Sequence, residues 1–244
     1  MKALITGGTS GIGLEIAKYL SNMNYEIFII ARNIEIDKKK FNTKITLLSF
    51  DLSKEENCYK IYNKLENENI DIIINNAGFG DIGDYKKDNL EKEINMIDLN
   101  IKSTQLLTKL FIKNKNTKYI MNVSSIASFF PAGPLMNTYY ASKKYITSYS
   151  LGLYEELKQN NSNIHISILC PGPVNTNFNS RAGIKNDIKG INPDKIAKYA
   201  INKMLRNKLI IIPGIKNKFA YIFIRFIPIK TLLKLVYNFQ KKKL

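Results

Sequence analysis

The sequence predicts an α/β fold with one doubly wound parallel sheet and a helical extension at the C-terminal end. Three observations carry that expectation. Short apolar runs alternate with longer stretches of helical periodicity. A glycine-rich segment joins the first run to the first helical stretch, and no Pro/Gly/Ser-rich linker or internal repeat divides the chain. Strands that alternate with helices form a parallel sheet covered on both faces. The 244 residues, 45% of them apolar, suit one large domain with a substantial core.

The elements follow in order. ALIT (3–6), EIFIIA (26–31), ITLLSF (45–50), DIIIN (71–75), YIMNVS (119–124), HISILC (165–170) and LIIIP (209–213) read as buried strands. Between them, residues 12–22, 54–68, 90–114, 140–160 and 193–206 carry helix-compatible periodicity. The expected organisation is a catalytic domain over 1–213 and a basic amphipathic extension over 214–244.

Composition excludes several functions. Cys58 and Cys170 lie far apart, with no CxxC pair and a single histidine in the chain, so neither a disulfide framework nor a metal site is expected. A reducing, cytoplasmic setting fits that cysteine usage, and MKALITGG has no apolar stretch of the kind a secretory signal needs. The formal charge is +17, from 37 Lys and Arg against 20 Asp and Glu. Lys, Asn and Ile are abundant throughout and Trp is absent, so we read the excess as a biased residue supply. No nucleic-acid-binding motif is present, and no nucleic-acid partner is expected.

TGGTSGIG (6–13) sits between the first strand and the first helix. Gly7 and Gly11 permit a tight turn and close approach of backbone N–H groups to a pyrophosphate, and Gly13 lets the helix pack on the strand. Thr9, Ser10 and Ile12 complete the loop of this Rossmann-like unit, whose spacing is GxxxGxG rather than GxGxxG. At the end of the second strand, IIARN (29–33) offers Arg32 where an NAD-preferring site has a carboxylate. A guanidinium can grip a 2′-phosphate bidentately, and no carboxylate stands beside it in the sequence, so NADPH is expected over NADH. Asp51, followed by Leu52, ends the third strand and could reach an adenine amino group. It could equally cap the helix that follows, a task open to Ser53 as well.

YYASKKY (139–145) pairs Tyr139 with Lys143 at i+4, on one helical face. Tyr140 and Lys144 repeat the spacing, so spacing alone does not choose between them. A phenol with a pKa near 10 serves acid–base chemistry at neutral pH only if its anion is stabilised. A drop of about 3 units takes about 4 kcal/mol, which a nearby ammonium helps to supply. NVSS (122–125) ends the fifth strand, where Ser125 could hydrogen-bond a substrate oxygen; Asn100 in MIDLNIKS (96–103) could anchor a water. Each also has a purely structural reading.

Taken together, TGGTSGIG, Asp51–Leu52, NNAG (75–78), Asn100, NVSS, YYASK and PGPVNT (171–176) resemble the short-chain dehydrogenase/reductase family, over residues 1 to about 213. The resemblance implies Tyr139 as proton donor or acceptor, Ser125 as the carbonyl-polarising hydroxyl, Asn100 as water anchor and Lys143 as a ligand of the nicotinamide ribose. It implies that Asn76, Ala77 and Gly78 lie along the cofactor, with Asn76 also bracing the sheet centre. Pro171, Gly172, Val174 and Thr176 would face its carboxamide end. The interval from Ser125 to Tyr139 is one residue longer than the family's usual one, which makes Ser124 the alternative serine. A homodimer or homotetramer is also implied.

Substrate choice falls to two loops, residues 129–137 and 177–191. The first brings Phe129, Phe130, Pro131, Leu135 and Met136, an apolar set. In the extension (217–244), Pro228 suits the first turn of a second helix, and Ile229, Leu232, Leu233, Val236 and Phe239 can share one face of it. Lys230, Lys234 and Lys241 to Lys243 add positive charge. Such a segment could cover the cleft or a subunit contact, or lie in a membrane interface as a peripheral contact. The expected function is an NADP(H)-dependent oxidoreductase acting on a small-molecule carbonyl or secondary alcohol of apolar character. The alternatives are a dinucleotide-binding sensor or scaffold without turnover, and a nucleotide-sugar epimerase or dehydratase. All four of Asn100, Ser125, Tyr139 and Lys143 are present, against the former. The latter typically needs GxxGxxG and a longer substrate domain.

Overall fold

The structure, a computed structural model, describes residues 1–86, 90–186 and 189–244. The first half of the chain forms β1 (Lys2–Thr6), α1 (Gly11–Asn22), β2 (Glu26–Ala31), β3 (Ile45–Ser49), α2 (Glu55–Leu65) and β4 (Ile72–Asn75). The second half forms α3 (Leu90–Ile97), α4 (Ser103–Phe111), β5 (Tyr119–Val123), α5 (Asn137–Gln159) and β6 (His165–Leu169). It ends in α6 (Phe178–Arg181), α7 (Pro193–Met204), β7 (Ile210–Ile211), α8 (Ile215–Phe223) and α9 (Ile229–Lys241).

All seven strands are parallel, in the order β3-β2-β1-β4-β5-β6-β7. The chain starts mid-sheet at β1, winds outward to β3, and returns to β4 to wind the other way. Loops therefore diverge where β1 meets β4, and the crevice between them is where ligands meet such sheets. Side chains alternate between faces with a period of two. Ala3, Ile5, Ile27, Ile29, Ile72 and Ile74 join a core with residues of α1 and α7. Leu4, Phe28, Ile30 and Ile73 join another with residues of α2 and α4. Both faces being covered, the strands are apolar throughout rather than alternating.

Departures from the expected elements have local causes. The helix expected over 90–114 runs over 90–111, but Asp98–Lys102, Asn100 included, is wound as a π-turn, which inserts a residue into the ladder. β7 pairs only at Ile210–Ile211, against β6 alone, because it is the sheet edge. α6, α8 and short 3-10 turns at Lys38–Lys40 and Ile126–Phe129 lie where loops were expected. In α9 the buried line is Leu232, Val236 and Gln240, packed near Ile82, Ala127, Met136 and Tyr140. Ile229 and Phe239, expected on that face, are exposed, so the helix is rotated toward Gln240. No helix among the described residues is long and apolar enough to cross a membrane.

Candidate active site

The glycine loop is braced from below. Thr6 Oγ1 accepts the N–H groups of Asn76 and Ala77, each at 2.9 Å, and the Asn76 amide donates to the carbonyls of Thr6 and Gly7 at 3.0 and 3.1 Å. A Cβ at Gly13 would lie 2.4 Å from the Gly7 carbonyl oxygen, closer than any real contact. Gly7 and Gly11 adopt positive φ of 64° and 57°, in the left-handed region that glycine enters without strain. The loop has thus no room for side chains on its inner side, while Gly7, Thr9, Ser10, Gly11 and Ile12 line an open cleft of about 1040 Å³. That cradle fits a dinucleotide pyrophosphate at the start of α1.

Arg32, at the end of β2, is exposed and lines the same cleft, as do Asp51 and Leu52. Burial alone would raise the Asp51 carboxyl, but hydrogen bonds from the Ser53 N–H and hydroxyl (3.0 and 2.8 Å), with the charge of Arg32, hold it below its ordinary value. A carboxylate therefore does stand in the field of Arg32, brought there by the fold from the end of β3. It is Asp51 that ties down Ser53 ahead of α2.

At the other end of the cleft, α5 presents Tyr139 and Lys143 one turn apart. The Tyr139 hydroxyl pairs with Ser125. Burial pushes this phenol up to about 12, with the Ser125 hydrogen bond acting the other way. Lys143 is buried, its Nζ donating to the Val123 carbonyl at 2.9 Å and lying 5.9 Å from the centre of the Tyr139 ring; burial lowers it to about 8. Ser125 Oγ also takes the Ala127 N–H at 3.2 Å and donates, at a long 3.4 Å, to the Pro171 carbonyl. Ser124, the alternative serine, is committed elsewhere: its hydroxyl donates to the Lys143 carbonyl and meets Thr147 Oγ1, both at 2.8 Å. The long Ser125–Tyr139 interval contains Leu135 at a φ of 69°, a kink a leucine adopts only under constraint.

Asn100 departs from the expected role. Its Oδ1 accepts the Phe79 N–H (3.1 Å), and its Nδ2 donates to the Phe79 carbonyl and Ser142 Oγ, both at 3.0 Å. The side chain is a clasp between the NNAG turn and α5, with neither end left over for a water.

The short chain dehydrogenase family profile matches residues 1–187. The chain belongs to that family. A probable NADP-dependent dehydrogenase of Haemophilus influenzae is 31% identical over 220 residues, covering 82% of this chain and 85% of that one. A very-long-chain 3-oxoacyl-CoA reductase of Anas platyrhynchos is 31% identical over 171 residues, 64% of this chain and 54% of that protein. Among solved structures, a short-chain dehydrogenase of Sphingobium yanoikuyae in complex with NADPH superposes with a TM-score of 0.77 at 26% identity, over 88% of each chain.

In this short-chain dehydrogenase the cleft is closed by parts that sequence reasoning left vague or missed. Phe130 and Met136 line it from the first loop, whereas Phe129 packs edge-on against Tyr221 of α8, 4.4 Å between ring centres. From the second loop, Phe178 stands 5.5 Å from the Tyr139 ring; Ile188 of that loop lies outside the described residues. Val174 pairs with Ile191, and Thr176 abuts the glycine loop, 3.2 Å from where a Cβ of Gly11 would be. Gly172 has no room for a side chain because Asn217 of α8 fills the space. α9 supplies Leu232, Val236 and Gln240, and Gln240 Nε2 donates to the Tyr140 hydroxyl at 2.6 Å. Tyr140 is thereby a strut for the extension, while Tyr139 faces Ser125. The signal that could have found Gln240 is its i+4 spacing from Val236 in a buried line that ends in an amide.

Proposed function

We propose that this enzyme interconverts a carbonyl and a secondary alcohol with NADP(H) as hydride carrier, on an apolar substrate. The observation that carries the reading is the Tyr139–Ser125 pair set in the same cleft as the glycine cradle and Arg32. The NADPH complex of the Sphingobium neighbour and the NADP-dependent Haemophilus relative support the cofactor. Gly7 to Gly13 would hold its pyrophosphate, Arg32 its 2′-phosphate, Asp51 and Leu52 its adenine side, and Asn76 to Gly78 its middle. Pro171, Gly172, Val174 and Thr176 would line its far end. When bound, the nicotinamide supplies or takes the hydride.

The chain's own residues handle the proton. With its pKa raised, Tyr139 holds its proton at neutral pH, the form that donates to an oxygen developing negative charge. Ser125 offers a second hydrogen bond to that oxygen and favours the phenolate once the proton has gone. Lys143 contributes positive charge below Tyr139 and a donor toward the cofactor ribose; Asn100 positions Phe79 and α5. Aromatic and aliphatic walls from Phe130, Phe178, Phe223 and Val236 exclude water and favour an apolar substrate, as the long-chain acyl name of the Anas relative also suggests. Self-association belongs to the same proposal, with exposed Ile94 and Ile97 of α3 and Tyr145 and Leu151 of α5 as its surface. The cytoplasmic setting rests on two free, buried cysteines.

A panel of ketones and aldehydes, followed by loss of reduced-nicotinamide absorbance with NADPH and NADH in parallel, tests the reading. Turnover with NADPH in preference to NADH is expected. Arg32→Asp should weaken NADPH far more than NADH; equal losses would remove Arg32 from the cofactor site.

A further inference from the structure

The charge of this protein is not evenly spread. Asp194 is the last acidic residue; residues 195–244 carry 13 Lys and Arg and no carboxylate at all. Every ion pair found among the described residues lies upstream of residue 159, so none engages these cations. A general bias in residue supply explains an excess of lysine but not the absence of Asp and Glu from fifty consecutive positions.

The same segment leaves its largest apolar side chains bare. Ile215, Phe219, Ile222 and Phe223 recur at helical spacing along α8 and are each at least half exposed; Phe226 and Ile229 follow at 79% and 60%. Soluble surfaces rarely gather so many large apolar groups in one run. Phe223 of α8 and Leu235 and Phe239 of α9 are exposed and also line the catalytic cleft, so the bare surface borders its mouth.

We infer that α8 and α9 form a docking surface for the anionic face of a lipid bilayer, with the mouth of the cleft turned toward it. Apolar side chains flanked by Lys216, Lys218, Arg225, Lys230 and Lys234 match the acyl–headgroup boundary of such a bilayer. A second copy of this chain is a poor occupant, because a two-fold contact would set the carboxylate-free surface against itself. A spanning segment is not needed: the surface lies on the membrane. The docking stands independently of the enzymatic reading; delivery of a bilayer-dissolved carbonyl compound through the mouth rests on it.

The test is flotation of the full-length protein with vesicles of phosphatidylcholine alone or with added phosphatidylserine. Enrichment of about tenfold or more on the anionic vesicles is expected, with release as salt rises. A triple variant, Phe219→Ser, Ile222→Ser and Phe226→Ser, replaces exposed residues outside the cleft, so it should lose flotation while its melting temperature and stabilisation by NADPH stay unchanged. No flotation on anionic vesicles, or equal flotation on neutral ones, overturns the inference. So does a dimer in solution that this variant converts to monomer. Turnover of a water-soluble ketone without vesicles reports separately on the enzymatic reading.

Discussion

Tyr139 and Tyr140 are neighbours on one helix, each with a lysine four residues on, and the fold gives them opposite tasks. The ring of Tyr140 fills the space above Gly133, where even a Cβ would come within 2.1 Å, and its hydroxyl is held by Gln240. Tyr139 turns one position around the helix to Ser125. Tyr139→Phe is therefore expected to lower turnover by about 10² to 10⁴, with NADPH affinity kept, while Tyr140→Phe keeps most of it; steady-state kinetics on both variants decide, and equal effects would reopen the choice of acid. Lys143 carries a second prediction. Its folded value of about 8 is depressed from 10.5, so the stability of its buried neutral form is present above 10.5 and lost as pH falls through 8. Lys143→Met removes that penalty. Relative to the parent it should gain ~3 kcal/mol between pH 11 and pH 7, the worth of a shift of about two units or more. Urea titrations at the two pH values measure this gain, and a difference between the proteins that ignores pH would show the amine is charged without cost.

At the scale of elements, what was legible is what local chemistry alone dictates. Runs such as EIFIIA and DIIIN can be only buried strands in this pattern, and the bounds of β2 agree with the sequence reading to the residue. The glycine loop was legible because three glycines at those intervals have few other uses, and Gly13 makes the point quantitatively. Gly13→Ala would drive a methyl into the Gly7 carbonyl 2.4 Å away, so the strand–loop–helix unit must open. Its measurable consequence is a loss of the thermal stabilisation that NADPH gives the parent; a retained shift would mean the cradle tolerates what the geometry forbids. The π-turn at Asn100 and the short helix carrying Phe178 were not legible, because their conformations are decided by long-range partners. Asn100 closes on Phe79, 21 residues away, and Phe178 leans on Tyr139. Asp51 shows the same limit: nothing in IIARN hints that a carboxylate from another strand lies in the field of Arg32. The face of α9 was misjudged by the width of one amide, since pattern reading counts apolar residues and Gln240 is buried for its hydrogen bond.

For the whole molecule the open question is whether the last thirty residues belong to the catalytic body or are added to it. The two large cores on either face of the sheet contain no residue beyond Ile211, so the sheet and the glycine cradle do not depend on the extension. A third cluster does: Leu232 and Val236 are buried against Ile82, Ala127, Met136 and Tyr140, directly beside the catalytic tyrosine. Full burial of two such side chains is worth about 3 to 6 kcal/mol, a large part of the 5 to 15 kcal/mol typical of a folded protein. A chain ending at residue 213 is therefore expected to keep its far-ultraviolet circular dichroism and its NADPH binding, and to melt well below the parent. Because the wall supplied by α9 is gone, KM for an apolar ketone should rise far more than kcat falls. That split is the informative part. Loss of NADPH binding along with substrate affinity would show that α8, through Asn217 on Gly172, holds the PGPVNT loop in place, and that the extension is a layer of the domain itself.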